Sequence, residues 1–408
     1  MKRSYIIAGI VVLVGVFSLI QTGLVRDLLL LHSYARFFDA DALDENFRTA
    51  YANQPSLKVD RSPQATKIIE DLQPFPMPAT FDFQEKTSDT RDFLEEMNTT
   101  GLAIMKDGKL IYENYDRGND QNSLAMQMSV SKTFTAFLAG VAIEKGDISS
   151  KDDYVTDYVP ALEGTAYDGV RVVDLLDMSS GIQWREDMGD LSSELVRSIK
   201  ASAIGSLDDF AKTMKRVDEP GTFHRYASID THILAMVIRG ATGKPFEAYF
   251  KEEVWDKIGA ESDAYFLTDA TGEPLAGGGM NISLRDMLRF GSIFANEGKS
   301  LSGEQLISTE WIDGSTVPDH PRLEPGPDNP LSSSYFGYKH HWWIPEDYDD
   351  EFVAIGIYGQ FIYVNRKHSI VIVKTSAYKN FLKDGGWRTH ETVTLFRATV
   401  DYLSKQTM

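Results

Sequence analysis

The 408 residues are 42% hydrophobic and 25% charged, include no cysteine, and carry a formal net charge of −19. The length allows a large enzyme or two interleaved subdomains around a sizeable core. The acidic balance argues against nucleic acid as a partner, because phosphate binding needs a basic surface, and the missing cysteine excludes disulfides, thiol nucleophiles and zinc–thiolate sites.

At the N-terminus, Lys2 and Arg3 precede an apolar stretch over residues 5–25, broken only by Ser18, Gln21 and Thr22. At about 1.5 Å per residue such a stretch can span a bilayer core of about 30 Å. No small-x-small cleavage site precedes Arg26, so residues 1–26 read as an uncleaved single-pass transmembrane helix rather than a cleaved signal peptide. The basic flank keeps the N-terminus in the cytoplasm, making the inner membrane a partner and exporting the remaining chain. Residues 27–89 read as a juxtamembrane helix and an irregular lead-in with Pro55, Pro63, Pro74, Pro76 and Pro78, wrapping a main domain at 90–408.

That domain opens with "GLAIMKDGKLIYENY", residues 101–115, two apolar runs around an Asp107–Gly108 hairpin turn. Helical patterns dominate from Ser129 to about Asn296, as in "SKTFTAFLAGVAIEKG" and "DTHILAMVIRGATG", which run into glycine as helices often do. Strand patterns return over residues 352–378, turning at 365–368, and a last helix covers about 389–405. Strands at both ends with helices between predict an α+β fold. One antiparallel sheet is closed by both termini and flanked by helices, a mainly helical subdomain is inserted, and the site lies in the cleft between the two parts.

The stretch "QMSVSKTFTAF", residues 127–137, joins helix periodicity to chemistry. Val130, Phe134, Phe137, Leu138 and Val141 form one apolar stripe. Ser129 and Lys132, three apart, sit on neighbouring positions of another face. A serine at a helix start gains from the dipole once charge develops on it. A lysine one turn on can take its proton if burial lowers the ammonium pKa. Read blandly, the same residues are an N-cap and a solvated lysine. Tyr226, just before a helix starting near Ser228 or Asp230, is either a proton relay whose phenolate the ammonium stabilises or a tyrosine tucked beneath a helix start. Gly356 and Gly359 interrupt the strong strand "AIGIYGQFIYV", marking close approach of a ligand or another backbone, or a bulge. A strand edge there would complete an oxyanion hole.

In this order, these segments resemble the serine β-lactamase and penicillin-binding-protein superfamily, class C β-lactamases and esterase-like relatives in particular. The resemblance covers about residues 81–403 and implies a β-lactamase/transpeptidase-like fold. The first motif matches as Ser129-Val130-Ser131-Lys132. The family's tyrosine-x-asparagine appears as Tyr226-Ala227-Ser228, and its lysine-threonine-glycine as Ala354-Ile355-Gly356. "PMPATFDF", "SIDT" after the tyrosine and "GIYGQFIYV" are similar to the 6-aminohexanoate-dimer hydrolase group, which cleaves linear amides and small esters. The likeness makes Ser129 the acylated nucleophile, Lys132 its base and Tyr226 the proton donor to the leaving group. The backbone N–H groups of Ser129 and Ile357 would form the oxyanion hole. On general resemblance the exported domain belongs in the periplasm.

The departures bear on substrate. Ser228 replaces an amide and Ala354 a cation that hold the β-lactam amide and carboxylate, and a desolvated carboxylate needs a paired charge. The expectation therefore moves from β-lactamase or D-Ala-D-Ala carboxypeptidase toward an esterase or amidase of small linear acyl compounds. No counterpart of the class A deacylating glutamate is present, leaving deacylation to Lys132 and Tyr226. Ser228 and Gly356 are expected at the substrate. Asn281, after the glycines at 277–279, either lines the cleft or caps a loop. Trp342 and Trp343 form an apolar wall or fill core, and Trp184 sits where relatives carry substrate-gating loops. No G-x-S-x-G elbow supports an α/β-hydrolase. No metal spacing involves the eight histidines, with His340–His341 a solvated or packed pair, and no cofactor is called for. A non-catalytic, membrane-anchored sensor on the same fold is the rival from another class, though a binder needs none of Ser129, Lys132 and Tyr226.

Overall fold

The computed structural model describes residues 36–405. The membrane anchor expected at 1–26 lies outside the described residues, and among those described no helix is long and apolar enough to cross a membrane. The strands, in chain order, are β1 (Ser56–Val59), β2 (Ile69–Glu70), β3 (Thr80–Phe83), β4 (Lys86–Asp89), β5 (Thr99–Lys106), β6 (Lys109–Tyr115) and β7 (Leu124–Met126). They continue as β8 (Ala264–Leu267), β9 (Met280–Ser283), β10 (Gly337–Lys339), β11 (Trp342–Ile344), β12 (Glu351–Gly356), β13 (Gln360–Asn365) and β14 (Ile370–Ser376). The helices that frame the site are α1 (Leu43–Asn53), α2 (Val130–Lys145), α3 (Val172–Leu176), α4 (Glu194–Ile204), α5 (Leu207–Ala211), α6 (Ser228–Thr242), α7 (Leu284–Ala295) and α8 (Phe381–Lys405).

The main sheet has eight strands in the order β10-β11-β12-β13-β14-β5-β6-β2. N-terminal β5 pairs antiparallel with C-terminal β14, from Ile370 opposite Lys106 to Thr375 opposite Gly101, so the two ends of the domain close one sheet as expected. Successive side chains of a strand point to opposite faces, and the two cores divide on that rule. Val371 and Val373 of β14 join Phe290 and Leu288 of α7 on one face, while Ile370 and Ile372 join Phe396 and Val400 of α8 on the other. Burial on both faces is why β13 and β14 read as continuous apolar runs rather than as alternating ones.

Three details depart from the sequence reading. The edge strand β2 pairs parallel with β6. A second, four-stranded sheet, β1-β8-β9-β7, lies under the helical part, its strands too short to stand out in the sequence. The last helix begins at Phe381, not near 389, because it continues through Gly385–Gly386. The Phe381 ring lies over Gly385, so that a Cβ there would stand 2.3 Å from it, and packing overrides the glycine's poor helix propensity. Segment 36–89 supplies α1 and the strands β1–β4, with β1 paired to β8 and β2 to β6.

Helix α2 is buried along most of its length, with Phe134 stacked on Phe290 of α7 at 3.7 Å between ring centres. It also packs against α6, and this pair forms the floor of the inserted helical layer. Apolar residues on nearly every face are what a central helix requires.

Candidate active site

Strand β7 delivers the chain to Ser129. Gln127 donates its N–H to the Met280 carbonyl at 2.8 Å, fixing the strand end to β9. Met128 takes a left-handed φ of 49°, and α2 then begins. Ser129 stands at the N-cap position, yet its hydroxyl makes no capping hydrogen bond. It instead accepts a hydrogen bond from Lys132 Nζ at 2.8 Å, which also donates to the Gly277 carbonyl at 2.6 Å. Lys132 is 2% exposed. Burial lowers its ammonium pKa to about 8, against an opposing pull from the Glu186 carboxylate. An amine so placed is partly neutral near neutral pH and can accept a proton.

Tyr226 closes the third side. Its chain is held by Met178, which accepts the Arg225 N–H through its carbonyl at 2.9 Å and the Ala227 N–H through its sulfur at 3.1 Å. The start of α6 is fixed by buried Asp230, which accepts from the Ser180 hydroxyl at 2.8 Å and the Tyr167 hydroxyl at 3.0 Å. Burial, with the Glu186 charge, pushes the Tyr226 phenol well above the ordinary range, against a lowering influence of the nearby Ser129 hydroxyl. The Lys132 Nζ lies 5.3 Å from the centre of the tyrosine ring. Desolvation dominates that shift and favours the phenol, the form that can donate a proton.

Gly356, at the end of β12, answers the question its sequence position raises. A Cβ there would stand 2.5 Å from the Gln127 carbonyl oxygen. The approaching group is backbone, not ligand, and the missing side chain lets the β12–β13 turn sit against the strand end that carries Ser129. Ile357 is the first residue of that turn, and Tyr358 and Gly359 take φ of 63° and 96° to complete it.

Ser129, Lys132, Tyr226, Ser228, Trp343 and Ile357 line one cavity of about 880 Å³. The Trp343 ring leans on Tyr226 at 4.9 Å, so of the paired tryptophans this one forms the wall, while Trp342 fills core against Phe294 and Phe352. Asn281 is corrected: it lies in β9 opposite Met126, away from the cavity lining, and donates to the Gly279 carbonyl at 2.9 Å. It braces the loop whose Gly277 holds Lys132. Gly356 likewise lies behind the lining. Trp184 is buried and donates its indole N–H to Glu186 at 2.9 Å. His341 is packed, its ring nitrogens 2.9 and 3.2 Å from the carbonyls of Lys132 and Leu175.

Glu186 is the site residue the sequence reading missed. It accepts the Ser228 N–H at 2.8 Å, lines the cavity and acts electrostatically on both Lys132 and Tyr226. A carboxylate at the amino end of α6 is favoured by the helix dipole. The only local signal was an acid beside Trp184, and nothing in the spacing shows that this loop reaches a helix 42 residues on. Among the described residues Lys132 is the one lysine or arginine that lines the cavity, while Glu186, Asp187 and Asp269 contribute carboxylates. The buried Lys374 of β14 lines no part of it. Among the described residues no group of three metal-ligating side chains is found.

Comparison with known proteins bears on the family and the fold. The Beta-lactamase family model matches residues 90–389. The 6-aminohexanoate-dimer hydrolase of Paenarthrobacter ureafaciens is 29% identical over 300 residues, covering 71% of this chain and 75% of its own. A solved structure from Bacillus anthracis, assigned as a 6-aminohexanoate-dimer hydrolase, superposes with a TM-score of 0.80 at 23% identity, over 90% of this chain and 96% of its own. A class C β-lactamase superposes with a TM-score of 0.53 at 18% identity, over 72% and 93% of the two chains.

Proposed function

The chain belongs to the β-lactamase family and is a serine hydrolase, and from that premise we propose that it cleaves ester or amide bonds of small linear acyl compounds through a Ser129 acyl-enzyme. Neutral Lys132 takes the Ser129 proton as Oγ attacks the carbonyl carbon. The N–H groups of Ser129 and Ile357 stabilise the oxyanion. The proton passes to the leaving group through Tyr226, and water then releases the acid with the same two residues as base and acid. The observation that carries the reading is the desolvated Lys132 ammonium, 2.8 Å from the Ser129 hydroxyl.

What favours neutral acyl substrates over β-lactams or D-Ala-D-Ala peptides is the set of charges in the cavity. Among the described residues the lining holds no arginine and no second lysine, so a substrate carboxylate would lie beside Glu186 and Asp187 with only Lys132 to pair it. The test is a panel on the full-length chain in detergent: p-nitrophenyl acetate and butyrate, nitrocefin, and a linear aminohexanoate dimer. Ester or amide cleavage, a covalent acyl adduct on Ser129 in the intact-mass spectrum and slow nitrocefin turnover are expected. Efficient nitrocefin hydrolysis would overturn the substrate assignment, and silence on every substrate would favour a non-catalytic sensor.

The oxyanion assignment makes its own prediction. Gly356→Ala places a methyl group against the Gln127 carbonyl and drives the Ile357 N–H away from Ser129. Losing one such donor costs roughly 10²–10³ in kcat, so steady-state kinetics on p-nitrophenyl butyrate should show the loss in kcat rather than KM. Wild-type kcat in Gly356→Ala would remove Ile357 from the mechanism.

The apolar stretch over residues 5–25 behind Lys2 and Arg3 supports a single-pass anchor in the inner membrane with the hydrolase domain on the periplasmic side. Recovery of the full chain in the soluble fraction after carbonate extraction would rule the anchor out.

A further inference from the structure

We propose that Lys374 is a positioning residue for the oxyanion donor: together with Ser376 it props Gly359 from beneath the β12–β13 turn and so aims the Ile357 N–H at Ser129. The proposal rests on the serine-hydrolase reading and on the place given there to Ile357. Lys374 lies near the end of β14, opposite Phe361 of β13 and Leu102 of β5, and is 0% exposed. Its Nζ donates to the Ser376 hydroxyl and lies 5.6 Å from the centre of the Phe361 ring. A Cβ built on Gly359 would stand 3.4 Å from that Nζ and 3.2 Å from Ser376 Oγ. The turn therefore rests directly on this pair, and Gly359, at a φ of 96°, lets it come that close.

The same strand end grips the turn elsewhere too. Gln360 Nε2 donates to the Ser376 carbonyl at 2.6 Å, and its Oε1 accepts the Ser376 N–H at 3.3 Å. The Tyr358 carbonyl accepts the Tyr378 N–H at 3.1 Å. On its other side the turn meets the Gln127 carbonyl through Gly356. Ile357 sits between these two supports, so whatever holds the turn sets where its N–H points. Packing alone does not account for a lysine here. A methionine would fill the space without taking an amine out of water. Burial alone lowers the Lys374 ammonium to about 7, and no carboxylate offsets it. A buried ionisable group without an ion pair points to a role other than stability.

The experiment measures p-nitrophenyl butyrate kinetics on the full-length enzyme and on Lys374→Met, Gly356→Ala and the double variant. In Lys374→Met, kcat should fall by about 10- to 100-fold, the cost of misplacing one oxyanion donor. KM should stay within about twofold, because ground-state binding does not use that N–H. Chemical denaturation should show the variant as stable as wild type or more so, since the desolvated amine is gone. The double variant should lose no more kcat than Gly356→Ala alone, because both changes act through one N–H. Wild-type kcat in Lys374→Met, a multiplied loss in the double variant, or a kcat loss accompanied by lost stability would each overturn the proposal. Where Lys374→Met does not fold, Ser376→Ala takes its place: it removes the hydroxyl between the amine and the turn, and wild-type kcat in it would equally overturn the assignment. Wild-type kcat in Gly356→Ala would instead remove Ile357 from the mechanism, and Lys374 with it.

Discussion

Ser129→Ala is expected to abolish turnover while leaving the fold intact. The hydroxyl is the only group lost, and it makes no helix-capping bond. Its hydrogen-bond partner is Lys132, which belongs to the reaction rather than to the core. Lys132 keeps the Gly277 carbonyl as an acceptor, so the variant leaves no ammonium stranded. Stability should therefore change by no more than about 1 kcal/mol, measured by chemical denaturation. The chemical consequence is of another order. Without the nucleophile no acyl-enzyme forms, and removal of a nucleophilic serine costs about 10⁴ or more in kcat. The measurement is ester hydrolysis beside intact-mass detection of the acyl adduct. Turnover within tenfold of wild type, or an adduct on another residue, would sink the mechanism.

The catalytic geometry was legible in the sequence to the extent that it is local. Ser129 and Lys132 share one helical turn, and three-residue spacing is enough to predict that they meet. Tyr226 and the β12–β13 turn come from elsewhere in the chain. Spacing could propose them, and only the resemblance could bring them together. Gly356 shows the limit of a residue type: glycine in a strand announces a close approach but not its partner, which proved to be the Gln127 carbonyl. Asn281, open between cleft and loop cap, resolves to the loop. Its place after three glycines suggests a cleft loop, but those glycines turn the chain so that the next strand, β9, buries the amide in the smaller sheet. Glu186 was illegible because its role is electrostatic and tertiary. The acid matters only because its loop folds back onto the first turn of α6, and no periodicity encodes that. The main sheet was readable from β-branched runs at both chain ends. The second sheet was not, because its strands are three or four residues long.

Lys132 sets the pH dependence, and its sign follows from burial. The folded pKa is about 8, below the ordinary 10.5, so the neutral base appears as pH rises through about 8. The acid limb of kcat/KM should have its midpoint there, with activity falling tenfold per unit below it. Glu186→Gln removes a charge that favours the ammonium, and the limb should move to lower pH, by a modest amount because Glu186 is exposed to solvent. Lys132→Met removes the base and should cost roughly 10²–10⁴ in kcat. The same residue leaves a signature in stability. Between about 8 and 10.5 the unfolded chain holds the lysine proton and the folded chain does not, so stability rises with pH across that window. Lys374, lowered by burial to about 7, adds a second contribution of the same sign. Each such group is worth about 1.4 kcal/mol per pH unit inside its window. Denaturation of wild type and Lys132→Met at pH 8.5 and 9.5 should therefore show the variant gaining about half as much stability. Equal gains would mean that Lys132 is charged in the folded protein throughout this range, and it could not then be the base.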